Sequence, residues 1–546
     1  MKKDLEQSLL VIIEESLSRL GLENGCVKDL YLDFPTDTRF GDLSTNIALR
    51  ISKIVKKSPL SIAQDLAGDI KENLKNSSFY DSIKEIRAEG AGFINFYLKD
   101  EYFYEQLKCL LLKGVQPQSL TVSKGKSVLI EFVSANPTGP LSVAHARQAV
   151  VGDCLANILD FLGFRVRREY YLNDEGNQID ILAESVRLRL KELDGENIEF
   201  PENYYQGEYI YEIAKKTGDL RLKTQDIAEF VVKEILDTIK QDLKDFGVKF
   251  DSWFSQKKLG KSSEIRQTLE FLRKRGFLYD KDGAVWFKST DFQDDKDRVV
   301  IKSDGSYTYL APDITYHLKK YKRRFTWLIN LWGPDHHGYI KRLKAAVQAL
   351  GYADSTLSII IVQLASIFKD GKPLEMSTRR GQYITLREVL DEVGPEAARF
   401  FFLMRKTSSH LDFDLDTAKK QSSENPVYYV QYAHARICSI LRQSRIKNFK
   451  KNAGLSLLKE KEEITLIKKI LQFSYILNIC YKTQDPYMLT VYLQELAETF
   501  HRFYDLHKVL GQEDGLTRAR LALIEAARSI INKGLRLLGI SAPEKM

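Results

Sequence analysis

Apolar residues at helical spacing mark the first hundred residues as a unit of their own. The spacing predicts a helix over about 4–20 and another through 47–54, and the glycine-led stretch 89–98 predicts a strand. A polar stretch with glycines and serines at 113–126 predicts a linker. We therefore expect a small α/β module over residues 1–115.

A βαβ pattern follows this linker. The apolar run 127–133 predicts a strand, a proline- and glycine-containing loop at 137–140 interrupts it, and apolar positions on one face predict a helix from about His145. Residues 164–172 predict the next strand. This pattern is typical of half of a doubly wound nucleotide-binding fold, in which ligands bind at the carboxyl edge of the strands.

The rest of the chain changes character twice. A charged, helix-rich stretch at 175–295 predicts an insertion, and the apolar runs 325–332 and 358–364 predict that the sheet resumes after it. We therefore expect an α/β domain over 120–405. Beyond it nearly every segment has helical periodicity, which predicts an all-α bundle over 406–546.

Composition excludes several classes of protein. Hydrophobic residues make up 44% of the 546 residues and charged residues 29%, a balance typical of soluble globular chains. No apolar run approaches the roughly 18–20 residues that cross a bilayer, so we expect no membrane segment. The five cysteines lie far apart without paired spacing, which favours a reducing cytoplasm and argues against a structural metal site.

The net charge of +8 is unevenly distributed. Residues 421–546 hold 19 Lys and Arg against 12 Asp and Glu, so nearly all of the excess positive charge lies in the last quarter of the chain. Such asymmetry is expected of a segment that docks on the phosphates of a nucleic acid. A solvated basic helical bundle would give the same count.

Two short constellations carry candidate chemistry, and the first lies at 131–148. There Ser142 and His145, three residues apart, share one face at the start of the helix that follows the loop. The free N–H groups and the dipole of a helix N-terminus favour the negative charge of a polyphosphate. Taken alone, the same residues also fit a capped helix with a buried histidine.

The second constellation lies at 369–390. It contains two adjacent arginines, Arg379 and Arg380, on a loop, and a capping box of Thr385 and Glu388 that begins the next helix. Two neighbouring guanidinium groups can neutralise a leaving pyrophosphate. Taken alone, this stretch also fits a solvated basic loop.

Together, the two constellations resemble the signature motifs of class I aminoacyl-tRNA synthetases, His-Ile-Gly-His and Lys-Met-Ser-Lys-Ser, in the right order and separation. Further stretches are similar to arginyl-tRNA synthetases of the bacterial type along the whole chain: RFGDLSTNIAL, GAGFINFYL, YYLNDEGNQI, YLAPDITYH, LWGPDHHGYIKRLKAA and YVQYAHARI. All three predicted regions therefore take part in the resemblance.

Four positions depart from the family's motifs. Ser142 stands where the first histidine is usual and Ala144 where glycine is usual, and Glu375 and Thr378 replace the two lysines of the second motif. The family varies in that second motif. A serine hydroxyl can donate one hydrogen bond to a phosphate but carries no charge, so we expect an active enzyme with altered handling of ATP.

The resemblance implies a class I doubly wound, Rossmann-like catalytic domain between an N-terminal α/β module and a C-terminal helical anticodon-binding bundle. Its activity would be the ATP-dependent attachment of L-arginine to tRNA(Arg) through an arginyl-adenylate. The implied partners are tRNA(Arg), ATP and L-arginine, with Mg²⁺ accompanying ATP and no structural metal bound by the protein. The implied state is a cytoplasmic monomer.

The resemblance also implies site residues. Those for ATP are Pro137, Gly139, His145, Met376, Ser377 and Arg379, and those acting in catalysis are His145, Ser142 and Arg379. Those for arginine are Glu131, Ser134, Asn136, Tyr309, Asp313 and Asp335, of which Asp313 and Tyr309 would meet the guanidinium. Those for tRNA are Phe40, Tyr428, Gln431, Tyr432 and Arg436.

Simpler interpretations stay open for single residues. Asp313 follows a proline and also fits a helix N-cap, and the tyrosines at helical spacing also fit a helix core. The pair His336 and His337 beside Asp335 is compatible with a metal site, although no further Cys or His lies at ligand spacing.

Two other functions are weighed against arginine–tRNA ligation. The departures at Ser142, Glu375 and Thr378 keep open a degenerate paralogue that binds RNA without charging it. A class I synthetase for another amino acid is disfavoured, because it does not account for the N-terminal module and because no editing domain or zinc ligand set is recognisable. The sequence leaves open which tRNA bases are read and whether adenylation requires tRNA.

Overall fold

The computed structural model describes residues 5–22, 30–35, 37–117, 121–217, 223–260, 263–374, 383–451 and 453–546. It divides into two compact units. Unit 1 comprises Met1–Val115, Ile440–Phe473 and Thr499–Ser529, and unit 2 comprises Gln116–Ser439, Ser474–Glu498 and Ile530–Met546.

The N-terminal part of unit 1 is a three-stranded antiparallel sheet covered by helices. Its elements are α1 (Leu5–Arg19), β1 (Leu43–Thr45), α2 (Ile47–Val55), α3 (Pro59–Leu74), β2 (Ile83–Glu89), β3 (Phe93–Leu98) and α4 (Asp100–Lys113). The strand order is β1-β3-β2, and Leu43 lies opposite the fully buried Phe96. The strand predicted at 89–98 is therefore the second strand of a hairpin, and the predicted α/β character of this module is confirmed.

Unit 2 is built on a five-stranded parallel sheet with helices on it. The strands between residues 121 and 417 are β4 (Ser127–Glu131), β5 (Arg165–Leu172), β6 (Ser252–Ser255), β7 (Leu278–Lys281), β8 (Ala284–Phe287), β9 (Arg298–Ile301), β10 (Trp327–Trp332), β11 (Leu357–Ile361), β12 (Ala365–Lys369), β13 (Lys372–Pro373) and β14 (Leu411–Asp414). The parallel sheet has the order β11-β10-β4-β5-β6. The predicted α/β core with a parallel sheet is confirmed.

The helices of this part connect and cover the strands. They are α5 (Val143–Phe161), α6 (Asn177–Leu193), α7 (Glu208–Thr217), α8 (Thr224–Asp245), α9 (Gln256–Gly260), α10 (Glu264–Lys274), α11 (Leu310–Lys322), α12 (Ile340–Ala349), α13 (Leu386–Leu403) and α14 (Leu415–Lys419). The last quarter of the chain is helical, with α15 (Pro426–Gln443), α16 (Lys461–Leu471), α17 (Phe473–Thr483), α18 (Tyr487–Leu506) and α19 (Asp514–Leu537).

Two short strands differ from the sequence-based expectation. Ser252–Ser255 lies inside the stretch predicted as an insertion, yet it pairs with β5 as the edge strand of the parallel sheet. Leu411–Asp414 lies in the region predicted as all-helical, yet it pairs with β12. Each has only four residues, too few for a reliable period, and its partner strand rather than its own pattern fixes it.

Helix α5 packs unusually close to the central strand. Nearly all of its residues are buried, and a Cβ placed on Gly152 would lie 2.3 Å from Cγ of Phe132. Only glycine allows this approach. The contact holds the middle of α5 against the residue that directly follows β4.

None of the described helices is both long enough and apolar enough to cross a membrane.

Candidate active site

The loop after β4 has a strained backbone. Val133 and Ser134 have positive φ angles of 67° and 43°, a region that β-branched residues such as valine rarely adopt. The turn is held by Ser134, whose Oγ accepts the backbone N–H of Tyr171 at 3.0 Å. Asn136 donates from Nδ2 to Oε1 of Gln178 at 2.6 Å. Strain of this kind persists where surrounding contacts impose it, and it clusters at functional sites.

Two tyrosines clamp the loop that contains Gly139. The hydroxyl of Tyr209 on α7 donates to the carbonyl of Thr138 at 2.7 Å, and that of Tyr383 donates to the carbonyl of Pro140 at 3.0 Å. A Cβ on Gly139 would lie 3.0 Å and 3.1 Å from these two hydroxyl oxygens. Position 139 therefore has no room for a side chain unless the clamp opens.

The part of the second constellation at 384–386 is bonded to the segment that begins α5. Val143 donates its N–H to the carbonyl of Ile384 at 3.2 Å, and Leu386 donates to that of Leu141 at 2.7 Å. Thr385 caps α13 and accepts the N–H of Glu388, which confirms the predicted capping box. Met376, Ser377 and Arg379, together with Glu375, Thr378 and Arg380, lie outside the described residues.

His145 is a neutral donor at the start of α5. Ser142 is the N-cap, and its backbone N–H donates to Nδ1 of His145 at 3.2 Å. An N–H can only donate, so Nδ1 is the accepting nitrogen and the ring proton sits on Nε2. Burial lowers the pKa of His145 to about 4, and the charge of Asp335 opposes this shift. The helix start thus offers hydrogen-bond donors to a phosphate without a formal charge.

A row of polar side chains crosses the parallel sheet from β10 to β6. The register pairs Glu131 with Asn330 on one side and with Glu169 on the other, and Glu169 with Ser252. Helix α11 covers this row. From it Lys320 binds Glu131, and Arg323 binds Glu169 through two nitrogens at 2.6 Å and 2.7 Å. Each buried carboxylate is therefore matched by a cation from the same helix.

A chain of hydrogen bonds links this row to Asp313. Lys320, fully buried, donates to Oδ1 of Asn330 at 3.0 Å, and Asn330 donates from Nδ2 to Nε2 of His317 at 2.9 Å. His317 must then carry its proton on Nδ1, which donates to the backbone carbonyl of Asp313 at 2.8 Å. The pKa of His317 is well below its usual value, first because of burial and then because of Lys320. The position of Asp313 thus depends on the ion pair of Glu131.

The carboxylate of Asp313 is not paired with a cation among the described residues. It lies within the first turn of α11, whose N-cap is Tyr309, so the N-cap interpretation of Asp313 is wrong. Oδ2 accepts the hydroxyl of Tyr339 at 2.6 Å. Burial raises the pKa of Asp313 to about 7, with Glu131 adding to the rise and with Tyr339 and Lys320 opposing it. A cationic ligand would restore its charge.

The structure brings together some of the residues expected to bind arginine and places others apart. Oγ of Ser134 lies 3.4 Å from Oε1 of Glu131. The N–H of Asp313 lies 3.4 Å from the carbonyl of Tyr309, and the Tyr309 side chain is exposed. Asp335 is also exposed, and its Oδ2 lies 3.4 Å from Nε2 of His336. Its charge raises the pKa of His145. Among the described residues, no three His, Cys, Asp or Glu side chains are grouped as metal ligands.

The residues expected to contact tRNA differ in accessibility. Phe40 and Tyr432 are 48% and 40% exposed. On α15, Tyr428, Tyr432 and Arg436 are spaced four apart and share one face. Gln431 lies on another face, is 8% exposed, and donates to Glu396 and to the carbonyl of Ser541. Because both donor hydrogens of Gln431 are used, its burial argues against the predicted contact with RNA.

Sequence reasoning missed the residues that hold this site in place. Lys320 and His317 were not singled out, nor were the clamping tyrosines Tyr209 and Tyr383. One signal was available for two of them: His317 and Lys320 follow Asp313 at helical spacing, on a helix face that otherwise should be apolar. The tyrosine clamp left no such signal, because Tyr209 comes from the stretch treated as an insertion.

Comparison with known proteins covers the whole chain. The family described as "tRNA synthetases class I (R), catalytic domain" matches residues 106–437, "Arginyl tRNA synthetase N terminal domain" matches residues 7–98, and "DALR anticodon binding domain" matches residues 430–546. The chain belongs to the arginyl-tRNA synthetase family. An arginine–tRNA ligase of Citrifermentans bemidjiense is 44% identical over 100% of both chains. One of Listeria monocytogenes is 44% identical over 96% of both.

The fold of the family extends to distant members. The arginyl-tRNA synthetase of Thermus thermophilus superimposes with a TM-score of 0.80 over 100% of both chains at 20% identity. This likeness concerns the fold alone. It is consistent with the parallel sheet and the helical last quarter described above.

Proposed function

We propose that the pocket at the carboxyl edge of the parallel sheet is where this chain activates L-arginine and transfers it to tRNA(Arg). The chain is an arginine–tRNA ligase of class I. It uses ATP, proceeds through an arginyl-adenylate, and releases AMP and pyrophosphate. The observation that supports this proposal is the partly buried carboxylate of Asp313 on α11, which has no cation partner among the described residues.

Arginine recognition rests on this carboxylate. Tyr339 occupies one oxygen of Asp313, so the other remains to receive the planar guanidinium, and Tyr309 lies one turn away. Arginine is well matched to a carboxylate, because its fork of N–H donors is rigid. Glu131, Ser134 and Asn136 line the rest of the amino-acid pocket.

The first chemical step needs no catalytic base. The carboxylate of arginine is already ionised at neutral pH, and it attacks the α-phosphorus of ATP in line while pyrophosphate leaves. The protein's contribution is positioning and stabilisation of charge. His145 donates from Nε2 to an ATP phosphate, and Ser142 supplies a hydroxyl beside it. The loop that contains Pro137 and Gly139 binds the nucleotide.

The second constellation acts on the leaving group. We assign the pyrophosphate to Arg379, and assign Met376 and Ser377 to the nucleotide, from the family's motif. Mg²⁺ accompanies ATP as part of that substrate, bound by its phosphates and by water. In the second step a hydroxyl of the terminal adenosine of tRNA attacks the adenylate.

The tRNA side uses three regions of the chain. We propose Phe40 in the module at 1–115 and the face of Tyr428, Tyr432 and Arg436 in the bundle at 406–546 as RNA contacts, with the catalytic domain at 120–405 between them in sequence. Aromatic rings stack on unpaired bases, and arginine pairs with phosphates or base edges. We further propose that the enzyme is monomeric and acts in the cytoplasm.

The experiment that tests this function measures charging of total tRNA with radiolabelled arginine, ATP and Mg²⁺. Two variants of one position sharpen it. His145→Ala removes the donor, and we expect charging to fall about a hundredfold to a thousandfold. His145→Gln keeps an uncharged N–H near the position of Nε2, and we expect it to retain more activity than His145→Ala.

Two outcomes would contradict the proposal. Retention of tRNA without any charging would make the chain an RNA-binding paralogue disabled by its motif departures, Ser142 foremost. Equal activity of parent and His145→Ala would leave the enzyme's function intact but would remove His145 from the ATP site.

A further inference from the structure

A second recess lies at the opposite edge of the parallel sheet. The amino ends of β4, β5 and β6 meet there with the stretch 323–325 that leads into β10, and they form an open recess of about 660 Å³. Pockets for small ligands have volumes of about 300–1,000 Å³. The five residues of β4 separate this edge from the carboxyl edge by about 15 Å. A ligand in the recess is therefore distinct from one in the active site.

The lining of this recess is strongly basic. It contains Arg165, Arg167, Arg323 and Arg324 against one acid, Asp251, a formal charge of +3. Two basic stretches that are far apart in sequence, 165–167 and 323–324, converge here, because parallel strands bring their amino ends to one edge. A single-sign cluster at the mouth of a cavity concentrates anions from solution.

Internal pairing fully neutralises only one of these four arginines. Arg323 is committed to the buried Glu169. Arg167 lies 3.8 Å from Asp251, and the Arg167 side chain is 64% exposed, so this pair is weak. Arg165 donates one N–H to the carbonyl of Gly125 at 3.2 Å. No hydrogen bond or ion pair of the Arg324 guanidinium is found within the described part of the chain.

Arg324 stands where the backbone would favour glycine. It follows the C-cap of α11 with φ of 68°, the left-handed position at which helices usually place glycine. Its N–H donates to Tyr321 at 2.8 Å, and its carbonyl accepts the hydroxyl of Ser127 at 2.6 Å. The backbone contacts need no side chain at all. This conformation disfavours arginine, and no contact of the guanidinium with the described residues offsets that cost, which points to a role for the guanidinium in binding.

We propose that this recess, which we call the edge pocket, binds a small anion that carries two or more phosphate groups. Arg165, Arg167 and Arg324 supply the donors, since guanidinium forks match phosphate oxygens geometrically. Ser127 and Ser252 lie at the same rim, but their hydroxyls already donate to the Arg324 carbonyl and to Glu169, so the arginines are the donors for the anion. A compact recess suits a small polyphosphate, whereas an RNA strand is tracked by an extended basic groove.

The test is isothermal titration of the full chain with inorganic triphosphate, while a stable arginyl-adenylate analogue blocks the active site. We expect one triphosphate to bind per chain. Arg324→Gly should weaken binding at least tenfold, with an apparent Tm no lower than that of the parent and with unchanged kcat for arginine charging. Lys56→Gly is the matched control, because Lys56 also has a left-handed backbone after a helix (φ 57°) but lies outside the pocket.

Three results would overturn the proposal. The first is no binding to the parent, and the second is equal affinity in the parent and Arg324→Gly. The third is displacement of bound triphosphate by tRNA(Arg), which would assign the pocket to RNA phosphates. Arg165→Gln provides an independent variant of the same pocket, so a folding defect in Arg324→Gly would not leave the question open.

Discussion

The raised pKa of Asp313 predicts that arginine binding depends on pH near neutrality. In the unliganded protein this pKa is about 7 instead of 3.8, a difference of about 4 kcal/mol between the two protonation states. Because burial favours the neutral form, the Asp313 side chain stabilises the folded state most below pH 3.8. This contribution to stability is lost as the pH rises through 7. A bound guanidinium reverses this preference, because it stabilises the ionised form.

The ionised fraction of Asp313 sets how strongly the Kd for arginine changes between pH 6 and pH 8. With a pKa of about 7, the ionised fraction of Asp313 falls from about nine-tenths at pH 8 to about one-tenth at pH 6. The Kd for arginine should therefore rise about tenfold between these pH values. His145, whose pKa is about 4, does not titrate in this range, and the guanidinium of arginine stays charged.

Calorimetric titration with arginine in two buffers of different ionisation enthalpy measures both the Kd for arginine and the number of protons released on binding. We expect close to one proton released per arginine bound at pH 6 and almost none at pH 8. Tyr339→Phe is the informative variant, because the Tyr339 hydroxyl lowers the pKa of Asp313. Its loss should move the inflection to higher pH. A flat Kd from pH 8 to pH 6, or an inflection that Tyr339→Phe leaves in place, would refute the reasoning.

Three further predictions concern the supports of the site. Lys320→Met leaves Glu131 without its buried cation and should lower the free energy of unfolding, measured in urea, by about 3–5 kcal/mol. Lys319 is its partly exposed neighbour, and Lys319→Met should lower the free energy of unfolding by only about 0–1 kcal/mol. Equal losses in the two variants would contradict the burial argument. Tyr209→Phe removes one of the two hydroxyls that clamp the loop. In steady-state charging assays it should raise KM for ATP several-fold and leave KM for arginine unchanged. A rise in both constants would instead indicate a general loss of structure in the site. Gly152→Ala places a methyl group against Phe132, so it should lower the apparent Tm and reduce the free energy of unfolding by about 1–3 kcal/mol. Gly68 is a helical glycine with open space around its Cβ position, and Gly68→Ala should leave the stability unchanged or raise it.

Long periodic elements could be predicted from the sequence because their burial pattern repeats many times. The helix expected from about His145 is α5, beginning at Val143, and the strand expected at 164–172 is β5, Arg165–Leu172. The edge strands at 252–255 and 411–414 could not be predicted. Four residues give two side chains per face, and only a neighbouring strand decides whether they are extended.

The site was predictable only where its residues belong to the family's motifs. Asp313 and His145 were named from the family's motifs, whereas Lys320 and His317 support Asp313 through Asn330 on β10, a contact that spacing along α11 does not encode. The charge count shows the same limit. Residues outside the last quarter are nearly neutral in sum, and this average conceals the edge pocket, because its arginines come from stretches more than a hundred residues apart.

The order of strands in the parallel sheet also affects how the protein is made. The central strand β4 acquires its partner β5 soon after synthesis, but Ser127 must wait for Thr326, 199 residues later, to pair its other side. At about 5–20 residues per second, one edge of the apolar segment SVLIE stays unpaired for roughly 10–40 s on the ribosome. An open strand edge of this kind recruits other strands. Nascent chains of this enzyme should therefore depend on chaperones more than the stability of the finished fold would suggest.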